Sequence, residues 1–486
     1  MSLYLGFDVG TQGTKGVVLD AESHAVVARA GRSYGLIPNL PPGAAEQHPE
    51  TWVQAVQEVA AELLAGVDRA RVRGIGVSGQ QHGLVVLDDH DRVVRPAKLW
   101  CDTTTAAEAH ELSRDLGHAI PAGFTASKML WLQRHEPEVW KRVRSVLLPH
   151  DYLNFRLTGR KTMEPGDASG TGFFDPVTRA FDQRALSRID ARLAEMLPPM
   201  IQSGEPAGAL SSAGAQLLGL PDGMLVASGG GDNMMSAIGS GATRPGVVVV
   251  SLGTSGTAFA YSPTPVVDPD GSIAAFCDST GGWLPLLCVM NMTGVTEEAR
   301  AAFGDADHEL LTREAAQVPA GCDGVMFLPY LRGERVPNLP GATGAIVGLR
   351  PGLLRRGHLF RAALEGTSLN LALGIERMQR LGITVDSVRV VGGGAHNPLW
   401  RQILADVLEV WVQRLTEPES AALGAAIQAL WTVGRAAGES VSASEMAAPF
   451  VRTDSELVQP DATHLDVYRE ARANLRALTK RIFRAN

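Results

Sequence analysis

The sequence has few cysteines and no spacing of them that is typical of a metal site or a disulfide framework. Four occur in 486 residues, and no two of them form a CxxC pair. Apolar runs long enough to span a bilayer are also missing, as is a basic-then-apolar leader. The formal net charge of −8 argues against a general nucleic-acid-binding protein. These features predict a cytoplasmic protein with neither nucleic acid nor membrane as a partner.

The common nucleotide-binding motifs are missing or misplaced. No stretch matches the GxxxxGK(S/T) P-loop, although a GxGxxG pattern runs from Gly74 to Gly79. A dinucleotide site requires that pattern to close a strand and open a helix. Here residues 84–87 follow as another apolar, strand-like run. We therefore reject a Rossmann oxidoreductase, and an ATP site would have to use another scheme.

Two copies of one glycine–threonine motif organise the chain. Residues 10–14 and 253–257 both read Gly-Thr-x-Gly-Thr, and each lies between two apolar strands. Such a hairpin presents backbone N–H groups and hydroxyls to an anion, although either one alone is also compatible with an ordinary β-hairpin. Asp8 precedes the first motif where Ser251 precedes the second, and a carboxylate beside a phosphate is typical of a Mg²⁺ site. The pair predicts two like halves that hold one polyphosphate.

A glycine-rich segment before a helix predicts a catalytic carboxylate. A strand leads into residues 229–231, all glycine, and Asp232 and Asn233 follow at the start of the helix. An N-cap aspartate is the simpler interpretation, but three glycines cost backbone entropy, which favours a carboxylate presented into an open site. Residues 80–82, Gln-Gln-His, lie between two strands and suit either a polyhydroxylated ligand or a solvated turn.

Strands followed by helices in both halves predict an α/β fold with mixed sheets. We expect an N-terminal domain over residues 1–244 and a C-terminal domain over residues 245–486, with a cleft between them. In the second half, a strand ends in residues 392–397, Gly-Gly-Gly-Ala-His-Asn, before a helix. A strand, a glycine-rich turn and a helix start form a natural seat for a nucleoside.

Two long stretches resemble the signatures of the FGGY family of carbohydrate kinases, members of the actin-like ATPase superfamily. One is GFTASKMLWLQRH at residues 123–135, and the other runs from Gly344 through His358 to Glu365. Shorter segments are similar to the xylulose-phosphorylating branch of that family: residues 79–83, 229–233, 251–256 and 327–335. The resemblance covers nearly the full length of the chain.

The resemblance implies two actin-like ATPase (ribonuclease H-like) domains with a cleft between them. It implies transfer of the ATP γ-phosphoryl group, with Mg²⁺, to the terminal hydroxyl of a ketopentose. The substrate that the resemblance favours is D-xylulose, phosphorylated at its 5-OH. Ribulose, rhamnulose, gluconate and glycerol remain alternatives, and a homodimer is left open.

The resemblance also implies roles for individual residues. Asp232 would be the catalytic base. The sugar would contact Gln81, His82, Trp100, Asp102, Asp232 and Asn233. The phosphates would meet Thr11, Lys15, Gly253 and Thr254. Adenosine would lie against Gly393, Gly394 and Asn397. The Mg²⁺ ion would be held by Asp8 and Asp232.

The chain departs from the family pattern near the expected ligands. Gln81 replaces a methionine, Thr104 replaces an arginine, and Thr343 stands where a basic residue is common. The stretch 290–299 lacks the usual Gly-Gly and Trp. These changes leave the preferred sugar open. A non-catalytic ATPase of the chaperone or filament type is the alternative from another class, but it would lack the two FGGY stretches.

Overall fold

A computed structural model describes residues 2–483, which form two compact units. Unit 1 comprises the residues up to Thr243 together with Phe276–Leu284 and Glu419–Val451. Unit 2 comprises Arg244–Ala275, Pro285–Pro418 and the residues from Arg452 onward. The chain therefore passes back into unit 1 twice. The division of the sequence into domains 1–244 and 245–486 remains a prediction.

The strands follow one another along both units. In chain order they are β1 (Leu3–Val9), β2 (Gly13–Asp20), β3 (Ala25–Ser33), β4 (Glu46–Gln47), β5 (Val72–Gly79), β6 (Val85–Leu87), β7 (Ala97–Lys98), β8 (Ser145–Leu147), β9 (Phe174–Asp175), β10 (Ala180–Phe181), β11 (Pro206–Ala209), β12 (Leu225–Ala227), β13 (Gly230–Gly231), β14 (Gly246–Leu252), β15 (Gly256–Ala260), β16 (Ile273–Ala274), β17 (Leu286–Val289), β18 (Met326–Leu328), β19 (Ala345–Val347), β20 (Val385–Val391) and β21 (Trp411–Arg414).

Helices connect and cover these strands. They are α1 (Pro49–Leu63), α2 (Ala106–Leu116), α3 (Thr125–His135), α4 (Pro137–Arg142), α5 (Pro149–Thr158), α6 (Pro165–Ala168), α7 (Gln183–Ile189), α8 (Leu193–Met196), α9 (Ser212–Leu218), α10 (Asp232–Ser240), α11 (Thr293–Ala301), α12 (His308–Ala316), α13 (Arg356–Arg380), α14 (Pro398–Leu408), α15 (Ser420–Ala436), α16 (Ala443–Ala447) and α17 (Leu465–Phe483). Short 3-10 turns occur at Arg69–Arg71, Cys322–Gly324 and Gly393–His396.

The main sheet of unit 1 is mixed. Its strand order is β11-β12-β5-β1-β2-β3, with β13 also paired to β5. β1 is antiparallel to β2 and parallel to β5, so the first glycine–threonine motif joins two antiparallel neighbours as predicted. The Gly74–Gly79 pattern lies within β5 itself, and this confirms that it is not a dinucleotide-binding turn.

The main sheet of unit 2 repeats this arrangement. Its order is β16-β17-β15-β14-β20-β21, in which β14 is antiparallel to β15 and parallel to β20. The second glycine–threonine motif therefore joins the two strands that correspond to β1 and β2. Both units are mixed α/β structures, which confirms the predicted class.

Helix α15 packs directly on the centre of the unit 1 sheet. Gly6 on β1 and Gly76 on β5 face it, and a Cβ atom at either position would lie 2.0 Å from a backbone oxygen of the helix. Glycine at both strands thus permits a helix–sheet approach that a side chain would prevent. The apolar core of unit 1 includes Phe7, Trp52 and Val77, all fully buried.

In unit 2 one apolar core includes buried residues of α13, such as Leu364 and Leu371, and of β14 and β20, such as Val250 and Val390. None of the helices formed by residues 2–483 combines the length and apolar composition that crossing a membrane would need.

Candidate active site

Asp8 lies at the end of β1, beside the first glycine–threonine turn. Its cross-strand partner on β2 is Lys15, and its neighbour on β5 is Ser78, whose Oγ donates a 2.7 Å hydrogen bond to Asp8 Oδ1. Burial raises the pKa of Asp8 to about 6, although the hydrogen bond from Ser78 and the charge of Lys15 oppose this shift. Asp8 is therefore a partly desolvated carboxylate that a cation would stabilise.

The first turn itself is held by side chains from other loops. Thr11 Oγ1 donates to Gln80 Oε1 at 2.9 Å and accepts from Trp100 Nε1 at 2.9 Å. Lys15, a predicted phosphate contact, has a half-exposed side chain whose Nζ lies 2.8 Å from Glu419 Oε2. A phosphate at this turn would therefore compete with Glu419 for the lysine.

Asp232 is the first residue of α10, as predicted, and Gly231 is the N-cap. Its Oδ1 accepts hydrogen bonds from the backbone N–H of Asn233 at 2.8 Å and from Asn233 Nδ2 at 3.1 Å. Asn233 Nδ2 also donates to Gln81 Oε1 at 2.8 Å. The structure thus brings together three of the predicted sugar contacts: Gln81, Asp232 and Asn233.

The electrostatic surroundings of Asp232 suit a general base. Burial raises its pKa to about 7, and the nearby carboxylates of Asp8 and Asp167 add to the shift by like-charge repulsion. A carboxyl group whose pKa lies near neutrality can accept a proton from an alcohol and still be largely ionised at physiological pH.

His82 and Trp100 lie on loops of the same unit. The His82 ring packs 4.7 Å from the Phe124 ring and 6.1 Å from the Phe276 ring, and its backbone oxygen accepts a 3.0 Å hydrogen bond from Lys128 Nζ. The side chain of Trp100 is exposed and anchored by its hydrogen bond to Thr11. The His82 ring and the Trp100 ring are therefore each held in place by neighbouring residues.

Asp102 differs from the other predicted sugar contacts. It is fully buried, and its oxygens accept hydrogen bonds from the backbone N–H groups of Ala45 and Thr104, both at 2.9 Å, and from Lys98 Nζ at 3.1 Å. Its carboxylate thus fixes the loop that carries Trp100. Its contact with a sugar remains a prediction, and its oxygens already have partners.

In unit 2, the second glycine–threonine turn lies beside the predicted nucleoside segment. The Leu252–Gly256 pair closes a loop that contains Gly253 and Thr254. Gly392, with φ of +87°, packs against the backbone of Leu252. Gly393 and Gly394 follow in a 3-10 turn that leads to α14, and Gly393 is exposed with open space around its Cα.

Asn397 caps α14. Its Oδ1 accepts from the backbone N–H of Trp400 at 3.2 Å, and its Nδ2 donates to Thr312 Oγ1 at 3.0 Å. The predicted contact of this residue with adenosine is untested, whereas its role in starting the helix is visible in the structure.

A cavity of about 410 Å³ opens next to Thr254 in unit 2. This volume falls within the range of small-molecule sites. Its lining is mostly apolar with a few polar groups: Thr254, Met290, Asn291, Gly294, Val295, Glu298, Ala299, Ala302, Phe303, Phe327, Leu331, Arg332, Ile346 and Leu359. Its position beside a predicted phosphate turn makes it a candidate seat for the nucleoside.

Sequence reasoning noted the stretches 290–299 and 327–335 but did not predict that they form and support a cavity. Glu334 is almost fully buried and accepts hydrogen bonds from the backbone N–H of Met290 at 2.6 Å and from Asn291 Nδ2 at 3.1 Å. Glu298 lies on α11, one turn beyond Gly294. The signal was the polar start of a helix immediately after a buried strand, in the same stretch, 290–299, that departs from the family pattern.

A divalent cation fits the donor set around Asp8 and Asp232. Within residues 2–483, no three His, Cys, Asp or Glu side chains cluster as a metal site. Mg²⁺ in phosphoryl-transfer enzymes, however, is commonly held by one or two carboxylates together with waters and substrate phosphates. The charge of Asp8 acts to raise the pKa of Asp232, and a cation held by these carboxylates would offset that effect.

Comparison with known proteins agrees with this geometry. The FGGY family of carbohydrate kinases matches with its N-terminal domain over residues 3–239 and with its C-terminal domain over residues 248–433. A xylulose kinase from Haemophilus influenzae is 40% identical over 89% of this chain and 91% of its own length.

Solved structures give the same result. A xyloylose kinase from Brucella ovis superposes with a TM-score of 0.91 at 32% identity, with 98% of each chain covered. A gluconate kinase from Lactobacillus acidophilus gives a TM-score of 0.90 at 26% identity, over 99% of this chain and 98% of that one. The chain belongs to the FGGY family of carbohydrate kinases.

Proposed function

We propose that this protein is a xylulokinase, which transfers the γ-phosphoryl group of ATP to the 5-OH of D-xylulose. The observation that carries the proposal is the group formed by Asp232, Asn233 and Gln81, in which a base with a raised pKa lies among hydrogen-bonding side chains. The xylulose kinase from Haemophilus influenzae, 40% identical over most of both chains, supports this choice of sugar.

In the proposed reaction, the Asp232 carboxylate accepts the proton of the 5-OH as that oxygen forms its bond to the γ-phosphorus. The bond from the γ-phosphorus to the leaving oxygen of ADP breaks at the same time. Phosphoryl transfer proceeds through a loose transition state, so positioning and charge neutralisation matter more than covalent chemistry. Bound Mg²⁺ would neutralise phosphate charge, and Asp8 and Asp232 are the residues that would hold it.

In this proposal the sugar contacts belong to unit 1 and the nucleoside contacts to unit 2, and Thr11 and Lys15 of unit 1 would also meet the phosphates. Gln81, His82, Asn233 and Trp100 of unit 1 would contact the sugar hydroxyls. In unit 2, the turn at Gly253 and Thr254 would meet the phosphates, with the nucleoside in the adjacent cavity or against residues 393–397. The proposal also includes a cytoplasmic location and leaves a homodimer to be tested by light scattering.

A panel of acceptors tests the substrate. We expect kcat/KM for D-xylulose to exceed that for D-ribulose, L-rhamnulose, D-gluconate and glycerol by about tenfold or more, since one well-placed polar contact gives discrimination of that order. The assay couples ADP release to a spectroscopic signal, with ATP alone as the control. The similarity to a gluconate kinase makes D-gluconate the strongest rival. A preference for D-gluconate or glycerol would replace xylulose in the proposal.

The raised pKa of Asp232 predicts an acid limb in the pH profile. The base acts in its ionised form, so the rate should fall by about tenfold per pH unit below a pKa of about 7. Both substrates are kept far below saturation, so that the profile reports the free enzyme. Asp8 contributes to the raised pKa, and Asp8→Asn should therefore move this limb to lower pH even though its overall rate is reduced. An unmoved limb in Asp8→Asn would contradict the coupling.

A further inference from the structure

A cluster of buried charged groups lies near Gln81 in unit 1. His150 and Asp151 belong to α5 and Asp167 to α6, and each side chain is at most 1% exposed. His150 Nδ1 lies 2.8 Å from Asp167 Oδ2, and His150 Nε2 lies 3.0 Å from Asp151 Oδ1. Burial acts to lower the pKa of His150, but the two flanking carboxylates hold it well above its ordinary value. The ring therefore lies between two aspartates and is hydrogen-bonded to Asp167.

Gln81 lies between this cluster and the proposed base. Only 4% of its surface is exposed. On one side, Gln81 Oε1 accepts the 2.8 Å hydrogen bond from Asn233 Nδ2, which in turn donates to Asp232 Oδ1 at 3.1 Å. The orientation of the base thus depends on Asn233, and that of Asn233 depends on Gln81.

Asp167 lies close enough to Gln81 for the amide to act on the pKa of its carboxyl group. Gln81 Nε2 and Asp167 Oδ1 are both buried, and neither has a hydrogen-bond partner of regular geometry within residues 2–483. Burial raises the pKa of Asp167, while donation from His150 and from Gln81 acts against that shift. A hydrogen bond between Gln81 Nε2 and Asp167 Oδ1 would satisfy both of these unpaired buried atoms.

Close packing holds the amide in this position. A Cβ atom at Gly231 would lie 2.6 Å from Gln81 Cγ and 2.9 Å from Gln81 Nε2, so the backbone just before Asp232 is in direct contact with the glutamine. A side chain at position 231 would displace the amide, so glycine there permits its present position. Methionine, the residue that Gln81 replaces, has a similar volume but can neither accept from Asn233 nor donate to Asp167.

We infer that Gln81 is a positioning residue, anchored by Asp167 of the buried His150 cluster, that holds Asn233 and through it the Asp232 carboxylate in the reacting orientation. This inference rests on the proposed role of Asp232 as the base. It gives a function to a residue by which this chain departs from the family pattern, and to the buried charged cluster of His150, Asp151 and Asp167.

Gln81→Met tests the link to the base. The variant should lower kcat by about tenfold or more, because a small misplacement of a reacting group costs rates of that order. KM for ATP should stay unchanged, whereas the melting temperature should fall slightly because buried polar groups lose a partner. Gln54→Met is the matched control, because Gln54 is exposed on α1 and bonds only Glu58 in the same helix. A raised KM for the sugar with unchanged kcat would overturn the inference, since Gln81 would then act only as a sugar ligand.

A double-mutant cycle tests whether Gln81 affects kcat through Asn233 or independently of it. Because Gln81 acts through Asn233, the Gln81→Met, Asn233→Ala double variant should have the same kcat as Asn233→Ala alone. A kcat reduced by the product of the two single effects would overturn the inference. Asn233 is only partly buried, so its truncation leaves the core intact.

Gln81→Glu tests the anchor. Glutamate keeps an acceptor for Asn233 but places a second carboxylate against Asp167, so kcat should fall in this variant as well. Wild-type kcat in Gln81→Glu would show that Asp167 anchors nothing. Asp232→Asn distinguishes this inference from the proposed function. Turnover in Asp232→Asn would contradict the assignment of Asp232 as the base. Normal kcat in Gln81→Met, together with an inactive Asp232→Asn, would contradict only the positioning role of Gln81.

Discussion

Replacing Asp232 by alanine should lower kcat for sugar phosphorylation by about 10²–10⁴-fold, the range that a general base contributes. The carboxylate is the group placed to accept the proton from the acceptor hydroxyl, and its pKa of about 7 suits that transfer at neutral pH. Nucleotide binding should persist because the candidate nucleoside cavity is built by residues of unit 2. A coupled ADP assay measures turnover, and titration calorimetry with ATP measures binding.

Two further variants sharpen this experiment. Asp232→Asn keeps the size and the hydrogen bonds to Asn233 but removes the proton acceptor, so it should be as slow as Asp232→Ala. Asp222→Ala, an exposed aspartate of the same unit, is the matched control and should retain wild-type kcat. Near-normal turnover in Asp232→Asn would mean that another group takes the proton.

Features encoded by local sequence were predictable. The two glycine–threonine hairpins, the strand position of Gly74–Gly79 and the start of α10 at Asp232 each depend on neighbours within a few residues. The helix predicted after residue 397 is α14, Pro398–Leu408, which begins with a proline followed by apolar residues at helical spacing. Local propensity and the global fold agree at these places.

Features that depend on distant partners were not predictable. The sequence does not show that Glu419 pairs with Lys15, or that Asp102 is buried with Lys98. His150 and Asp167 were not singled out, and each alone is a polar residue within a mostly apolar or small stretch. Their meaning arises only when the fold brings them together, because burial makes a charge costly unless it is paired.

The placement of α15 illustrates the same limit. Its apolar, alanine-rich sequence predicts a buried helix but not which sheet it covers. It belongs to unit 1, although it lies far along the chain after most of unit 2. Only the glycines at its contacts, on both the helix and the strands, carry that information, and they acquire meaning once the partner is known.

Gly424→Ala should lower both the stability of the protein and its kcat. Helix α15 packs against α10 where Gly424 meets Gly239. A Cβ atom at Gly424 would lie 1.8 Å from the backbone oxygen of Met235 and 2.9 Å from the backbone nitrogen of Gly239. Backbone atoms cannot rotate away as a side chain can, so α10 must shift. Overpacking of this kind costs about 1–3 kcal/mol or more, which corresponds to roughly 2–4 °C in melting temperature per kcal/mol.

The catalytic cost follows from the position of the base. Because α10 begins at Asp232, a shift of this helix displaces the carboxylate, and a misplacement of about 1 Å can cost about 10²-fold in rate. Gly434→Ala, in the same helix, is the control: its Cβ would meet the side chain of Glu439, whose carboxylate can move, and alanine there gains up to about 1 kcal/mol of helix propensity. The melting temperature and kcat should both fall in Gly424→Ala, and neither should fall in Gly434→Ala. If Gly424→Ala kept the wild-type melting temperature and kcat, the crossing of α10 and α15 would not be what fixes the position of Asp232.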